Sequence, residues 1–194
     1  MKQSAPKPKD CPVCGKEFTP LRPMQAVCSP RCAVKQAKEK KTEAKKSIKA
    51  RKEAIKTIPQ LISEAQIEFN RYIRARDQHR DCISCGQGLP RDGDIGGAFD
   101  AGHYRSRGSA SHLRFDERNC HGQCKQCNRW GAGRAVDYRI GLVERIGLEN
   151  VEALEADNEP HKWTREELIG IKSKYKAKLK ELLESRDGKE QRTD

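Results

Sequence analysis

Four pairs of closely spaced cysteines constrain this chain more than any other feature. Cys11/Cys14 and Cys28/Cys32 fall in CPVCGKEFTPLRPMQAVCSPRC, and Cys82/Cys85 and Cys124/Cys127 fall in CISCG and CKQCN. A CxxCG turn brings two thiolates onto one ion, because the glycine permits the tight backbone that a knuckle requires. Thirteen residues separate the first two pairs, which together make a complete tetrahedral set. With all four positions taken by thiolates, that site is structural and leaves no position for substrate. The other two pairs are separated by 38 residues, too many for a simple ribbon, so something is inserted between the knuckles. The ninth cysteine, Cys120, occupies an apolar slot and is assigned to the core.

Composition explains why metal is needed. Only 35% of the 194 residues are hydrophobic and another 35% are charged. A chain so poor in core material gains stability from bound ions in place of buried area. The net charge of +12 points to a polyanion, most often nucleic acid. There is no run of about 18 apolar residues, so no membrane span and no membrane partner are expected. MKQSAPKPKD lacks the apolar segment of a signal peptide. A cytoplasmic protein is expected, in which cysteines serve metals rather than disulfides.

Four segments are expected. Residues 1–32 form an N-terminal zinc knuckle, treble-clef-like or ribbon-like. Residues 33–58, dominated by KQAKEKKTEAKKSIKARKEAIK, form a basic linker with helical propensity and no strong apolar face. It is either a solvated spacer or a helix that lies along phosphates. Residues 59–185 form the main domain, and 186–194 a frayed tail. Within the main domain, Leu61, Ala65, Phe69, Tyr72 and Arg76 recur at helical spacing, widened by Ile62 and Ile73. Between the knuckles we expect a strand near Ala98–Tyr104, a second near Leu113–Phe115, and a helix opening at His121–Asn128. Beyond them, Val136, Ile140, Val143 and Ile146 mark one helical face, and ENVEALEAD a short acidic helix. Thr164 and Glu167 make a capping box, flanked by a Trp163/Leu168 staple, for a last helix through Leu168, Ile171, Tyr175, Leu179 and Leu182.

The insert between the knuckles carries the chemistry. His103 sits in FDAGHYRS, Asn119 follows it by sixteen residues, and Asn128 directly follows Cys127. Phosphodiester hydrolysis needs a base for water and relief for the charge that builds on phosphate. A neutral imidazole near pH 7 and a divalent ion held by hard oxygens supply these. His103 is the candidate base, and Asn119 can fix the backbone opposite it. Asp100 and the amide oxygen of Asn128 are candidate ligands for Mg(2+) or Mn(2+). Arg105, Arg107, Arg114, Arg118, Lys125, Arg129 and Arg134 surround these residues as a candidate DNA track, sequence-tolerant and salt-sensitive. His121 is a candidate for a supporting role or a phosphate contact, and His79, His112 and His161 carry no assignment.

CISCG, DAGHYRS, LRFDERN, QCKQCN, YRIGLVERIG and HKWT resemble the phage lambda NinG family, also called Rap, over nearly the whole chain. The resemblance implies an HNH, or ββα-metal, nuclease module. It implies an α+β fold stabilised by about two zinc ions, working in the cytoplasm of a bacterial host. The implied activity is structure-specific cleavage of branched recombination intermediates such as Holliday junctions and D-loops. By the same resemblance, His103, Asn119 and Asn128 take the first, middle and last HNH positions. The chain departs from that pattern in two places. Gly102 precedes the base where many such sites carry Asp or His, and a bulge there would be needed to bring Asp100 and His103 together. Arg134 stands where similar proteins tend to carry asparagine. A symmetric homodimer would suit paired nicks. The competing expectation is a non-catalytic zinc-containing DNA-binding recombination or regulatory factor.

Overall fold

The structure, a computed structural model, describes residues 7–89 and 99–190. The N-terminal residues 1–6, the glycine-rich stretch 90–98 with the expected strand start at Ala98, and the end of the tail segment at 191–194 lie outside the described residues. Contacts divide the chain into two units, Met1–Lys56 and Thr57–Asp194.

The first unit is a knuckle continued by a helix. Strands β1 (Lys9–Asp10) and β2 (Glu17–Phe18) pair antiparallel, with the Cys11–Cys14 turn between them. Ser29 then caps α1 (Pro30–Ala54): its hydroxyl accepts the Cys32 N–H, and Pro30 suits the first turn because its missing N–H would be unpaired there anyway. The expected boundary at residue 32 is therefore displaced, since Cys32 belongs to the first turn of the helix. None of the 25 residues of α1 is buried.

The second unit is built on a helix pair. Helix α2 (Ile58–Asp77) starts at a Thr57/Gln60 capping box and buries Leu61, Ala65, Phe69 and Ile73. Helix α5 (Arg165–Glu190) packs against it through Leu168 and Tyr175, and Phe115 and Cys120 complete the cluster. The Thr164/Glu167 box forms as expected, with reciprocal side-chain-to-backbone bonds. Helix α5 runs on through Glu190, so the tail expected from 186 is helical over its first five residues.

The hairpin differs from expectation. Strand β3 (Asp100–His103) pairs with β4 (Cys120–Gln123) in regular antiparallel register, with His103 opposite Cys120 and Asp100 opposite Gln123. The stretch expected as the second strand, Leu113–Phe115, lies in a 3-10 turn over Ser111–Phe115. All four residues of β4 are buried, so it lacks the in–out alternation by which a strand is recognised. The helix expected to open at His121 is a single π turn, Gln126–Trp130, after the second knuckle.

Helices α3 (Ala135–Ile146) and α4 (Leu148–Ala156) close the unit over a second cluster of Ile83, Leu113, Tyr138, Leu142, Val151 and Leu154. The buried face of α3 is Tyr138 and Leu142, while Val136 and Ile140 are exposed. Gly141 explains the rotation: a Cβ there would lie 2.0 Å from the Ile83 carbonyl oxygen, so the helix meets the Cys82–Cys85 turn at its glycine.

Candidate metal centres and active-site cavity

Tetrahedral thiolates about 2.3 Å from one ion stand about 3.8 Å from one another. In the first unit, Cys14 and Cys28 sulfurs are 3.5 Å apart and those of Cys28 and Cys32 3.6 Å. In the second, Cys85 and Cys124 are 3.9 Å apart. Within each set of four, every sulfur lies within 4.8 Å of the others. Backbone N–H groups are turned on the sulfurs as well: Cys124 N–H donates to Cys82 and Cys127 N–H to Cys124. Burial opposes ionisation of Cys82, but such bonds carry its pKa down to about 7. Both sets can therefore hold zinc, Cys11, Cys14, Cys28 and Cys32 in one and Cys82, Cys85, Cys124 and Cys127 in the other.

A cavity of about 500 Å³ reaches Asn128, the residue that follows Cys127 of the second set. Asp100, His103, Asn128 and Tyr138 line it, together with Arg74, Arg107 and Arg129. Asp100 and His103 thus line the same cavity although the register of β3 is unbroken and carries no bulge. Gly102 is needed between them for another reason. A Cβ there would lie 2.2 Å from the Gln123 amide oxygen, which fills the opposite face. Gln123 is itself buried and donates to Ser84 Oγ and the Gly133 carbonyl, linking the first knuckle to the loop that edges the cavity.

His103 is held by its backbone and by one ring nitrogen. Nε2 donates to the Arg114 carbonyl at 3.0 Å, which leaves Nδ1 as the unprotonated nitrogen. Nδ1 lies 3.7 Å from the thiol of Cys120, a long contact to a weak donor. Burial lowers the pKa of His103 to about 4, helped by the Arg107 and Arg114 charges, so the ring is neutral at pH 7. Phe69 packs 6.1 Å away on the apolar side.

Asp100 has two partners. Arg129 forks onto its carboxylate at 2.7 and 2.8 Å, and Asn128 Nδ2 donates to Oδ2 at 2.9 Å. Burial works against the charge, but these bonds hold the carboxyl below its usual range. One carboxylate and one amide are the hard donors at this point of the cavity, and a magnesium-type ion, which takes few protein ligands, would reach the carboxylate only in place of Arg129.

Asn119 is buried and does not line the cavity. Its Oδ1 accepts the Arg105 N–H at 2.8 Å, and its Nδ2 donates to the Arg105 and Leu113 carbonyls at 3.1 Å each. It lies before β4, inside the hairpin connection, where it staples the loop after His103. Its side-chain bonds go to the Arg105 and Leu113 backbone and not to the His103 ring.

The expected arginine track divides. Arg107 and Arg129 line the cavity, and Lys125 is exposed beside it. Arg105 instead caps the end of α4 through the Leu154 and Asp157 carbonyls. Arg118 is held by Asp116, Arg114 donates to Gln66 and the Arg107 carbonyl, and Arg134 lies 3.6 Å from Asp137. Asn70 was missed, and Arg74, one of the arginines at the basic end of α2 for which the sequence allows a phosphate contact, was not singled out; α2 brings both to the cavity wall. The signal was there: Gln66, Asn70 and Arg74 follow at four-residue steps beside the apolar stripe, and Gln66 donates to Asn70. His121 takes a supporting role. It is buried against the tie between α2 and β4, where Arg76 forks onto Asp77 and donates to the Cys120 carbonyl. Asp77 in turn accepts the Gly122 N–H at 2.7 Å. His112 bonds the Asp157 carbonyl.

Residues 3–185 match the family model described as Bacteriophage Lambda NinG protein. The chain belongs to the NinG family. It is 38% identical to Protein ninG of Salmonella phage P22 over 89% of this chain and 92% of that one. The NinG protein of Escherichia phage lambda is 38% identical, over 89% of this chain and 91% of the relative. Protein ninG of Escherichia phage 933W is 37% identical over 93% and 96%. No solved structure matches the chain. Among the described residues of this NinG-family chain, no helix is long and apolar enough to cross a membrane.

Proposed function

We propose that this chain is a metal-dependent DNA endonuclease of phage recombination, of the HNH kind, that cuts branched DNA with His103 as general base. One observation carries the reading: His103, Asp100 and Asn128 line a single cavity whose wall also holds Arg74, Arg107 and Arg129. Water enters beside His103, and Nδ1 takes its proton, because Nε2 is committed to the Arg114 carbonyl. The water oxygen attacks phosphorus, and the bond to the leaving oxygen breaks. Arg74 and Arg107 orient the phosphate as fixed cations. Asp100 and Asn128 would hold a magnesium or manganese ion, which would supply relief for the charge that builds on the phosphate and on the leaving oxygen. Asn119 keeps the loop after the base in place, and the zinc-bound knuckle keeps Asn128 in place.

A second reading, a non-catalytic zinc-containing DNA-binding factor, is favoured by one observation. Asp100 is already satisfied by Arg129 and Asn128, and a divalent ion must displace the guanidinium to reach it. Incubation with labelled duplex, nicked and four-way DNA, with and without magnesium or manganese, separates the two. The endonuclease cuts the four-way substrate only with the ion, and paired symmetric nicks would favour a dimer. Binding without cleavage under every ion selects the second reading.

A further inference from the structure

Helix α1 is the element that the cavity leaves without a role. No residue of it is buried, so no core holds it, and only its own propensity and the Ser29 cap favour the helix. It carries ten lysines and arginines against three glutamates, more than half of the chain's net +12.

Those charges are ordered. Arg31, Lys35, Lys38, Lys41, Lys45, Lys49 and Lys52 follow at steps of three or four. At about 100° per residue they fall within an arc of about 120°, in a stripe about 32 Å long. Glu39 and Glu43 lie off the arc, and Glu53 is paired with Lys56. Among the described residues none of the seven makes an ion pair. Like charges three and four apart weaken a helix in isolation. A mere solvated spacer would be firmer with glutamates interleaved in the stripe, whereas a polyanion removes the repulsion. Duplex DNA carries a phosphate per strand about every 3.4 Å of axis, so the stripe spans roughly nine of them.

We propose that the Arg31–Lys52 face of α1 is a duplex-DNA-binding surface that follows phosphates without reading bases. It rests on the DNA-directed reading above, but on none of the cavity's residues. A second copy of the helix would meet it with like charge. An anionic membrane would need an apolar face, and α1 has no Leu, Phe or Trp.

The test uses the full zinc-loaded chain and a linear duplex without magnesium or manganese, so that nothing is cut. Replacing Lys38, Lys41, Lys45 and Lys49 by Gln, which keeps helix propensity, lowers the slope of log K against log salt by about 3 to 4. It weakens low-salt binding by tenfold or more. The off-stripe pair Lys40→Gln/Arg51→Gln leaves affinity within about twofold, and amide exchange over 31–52 slows when wild-type protein binds DNA. An unchanged slope in the quadruple variant overturns the proposal. So does an equal loss per charge from the off-stripe pair, or preferential displacement of DNA by duplex RNA or polyglutamate. With magnesium added and a four-way junction in place of the duplex, a chain that binds through the stripe but cuts nothing overturns the endonuclease reading alone. One that cuts, with the quadruple variant binding as well as wild type, overturns the stripe alone.

Discussion

The two four-cysteine sets have the same ligand chemistry and different surroundings. Around Cys11, Cys14, Cys28 and Cys32 the described residues bury little more than Cys11, Pro20 and Val27. Around Cys82, Cys85, Cys124 and Cys127, Leu89 and Phe99 are buried against the ligands, and Gln123 and Gly141 tie the knuckles to their neighbours. In the first unit a bound ion would serve as the core. In the second it would be a staple on a structure that the α2–α5 pair already holds. The same motif can therefore be the whole basis of a fold or the device that aims one asparagine.

The sharpest way to break that contrast is to remove the metal. A strong chelator abolishes amide protection throughout residues 9–29, because structural zinc contributes about 10–16 kcal/mol to domains of this kind. Amides of Phe69, Ile73 and Tyr175 keep their protection. Loss of both regions together, followed by hydrogen exchange, contradicts the contrast.

The next effect belongs to the second unit alone. Asp77→Ala leaves Arg76 and the Gly122 N–H without their buried partner, and costs about 3–5 kcal/mol in urea unfolding. A loss under 1 kcal/mol would mean that the helix pair holds β4 without this tie.

Acid sharpens the contrast further. Burial, with the Arg76 charge, lowers His121 to about 3, and burial lowers His103 to about 4. The unfolded chain binds these protons near pH 6.5, the folded chain only near 3 and 4. Their contribution is complete above pH 6.5 and is lost as pH falls from there towards 3. The slope approaches about 1.4 kcal/mol per pH unit for each histidine. His121→Gln reduces the slope of stability against pH between 6 and 5 in the second unit. An unchanged slope refutes the buried neutral ring.

The smallest effect concerns backbone strain. Ala132, Gly133 and Arg134 have φ of 50°, 83° and 45°, a left-handed run at the cavity's edge. An arginine there costs more than an asparagine or glycine would, which suits the asparagine of similar proteins; nothing in the structure explains the arginine here. Arg134→Gly raises unfolding stability by roughly 1 kcal/mol, and a decrease in thermal midpoint would contradict the strain.

Much of this was legible in the chain. The cysteine spacings name both metal sites, and the α2 and α5 stripes name the main helix pair, because those patterns follow directly from ligand geometry and helix period. What was not legible has physical causes. Strand β4 is buried on both faces and so lacks alternation, and the true α3 face hides behind a glycine chosen for close approach. The spacing of Asn70 and Arg74 on α2 is visible in the chain, but the cavity that they face is made only by tertiary packing. The histidine, the acid and the final asparagine were all nameable in advance, but the Arg129 fork on Asp100 was not.

The central claim is that the His103 ring takes a proton from water inside this cavity. Single-turnover cleavage of a four-way DNA junction by His103→Ala, with saturating magnesium, tests it most directly. The account predicts a rate loss of about 10²–10⁴-fold with zinc content and junction affinity unchanged. Cleavage at the wild-type rate by that variant would contradict it.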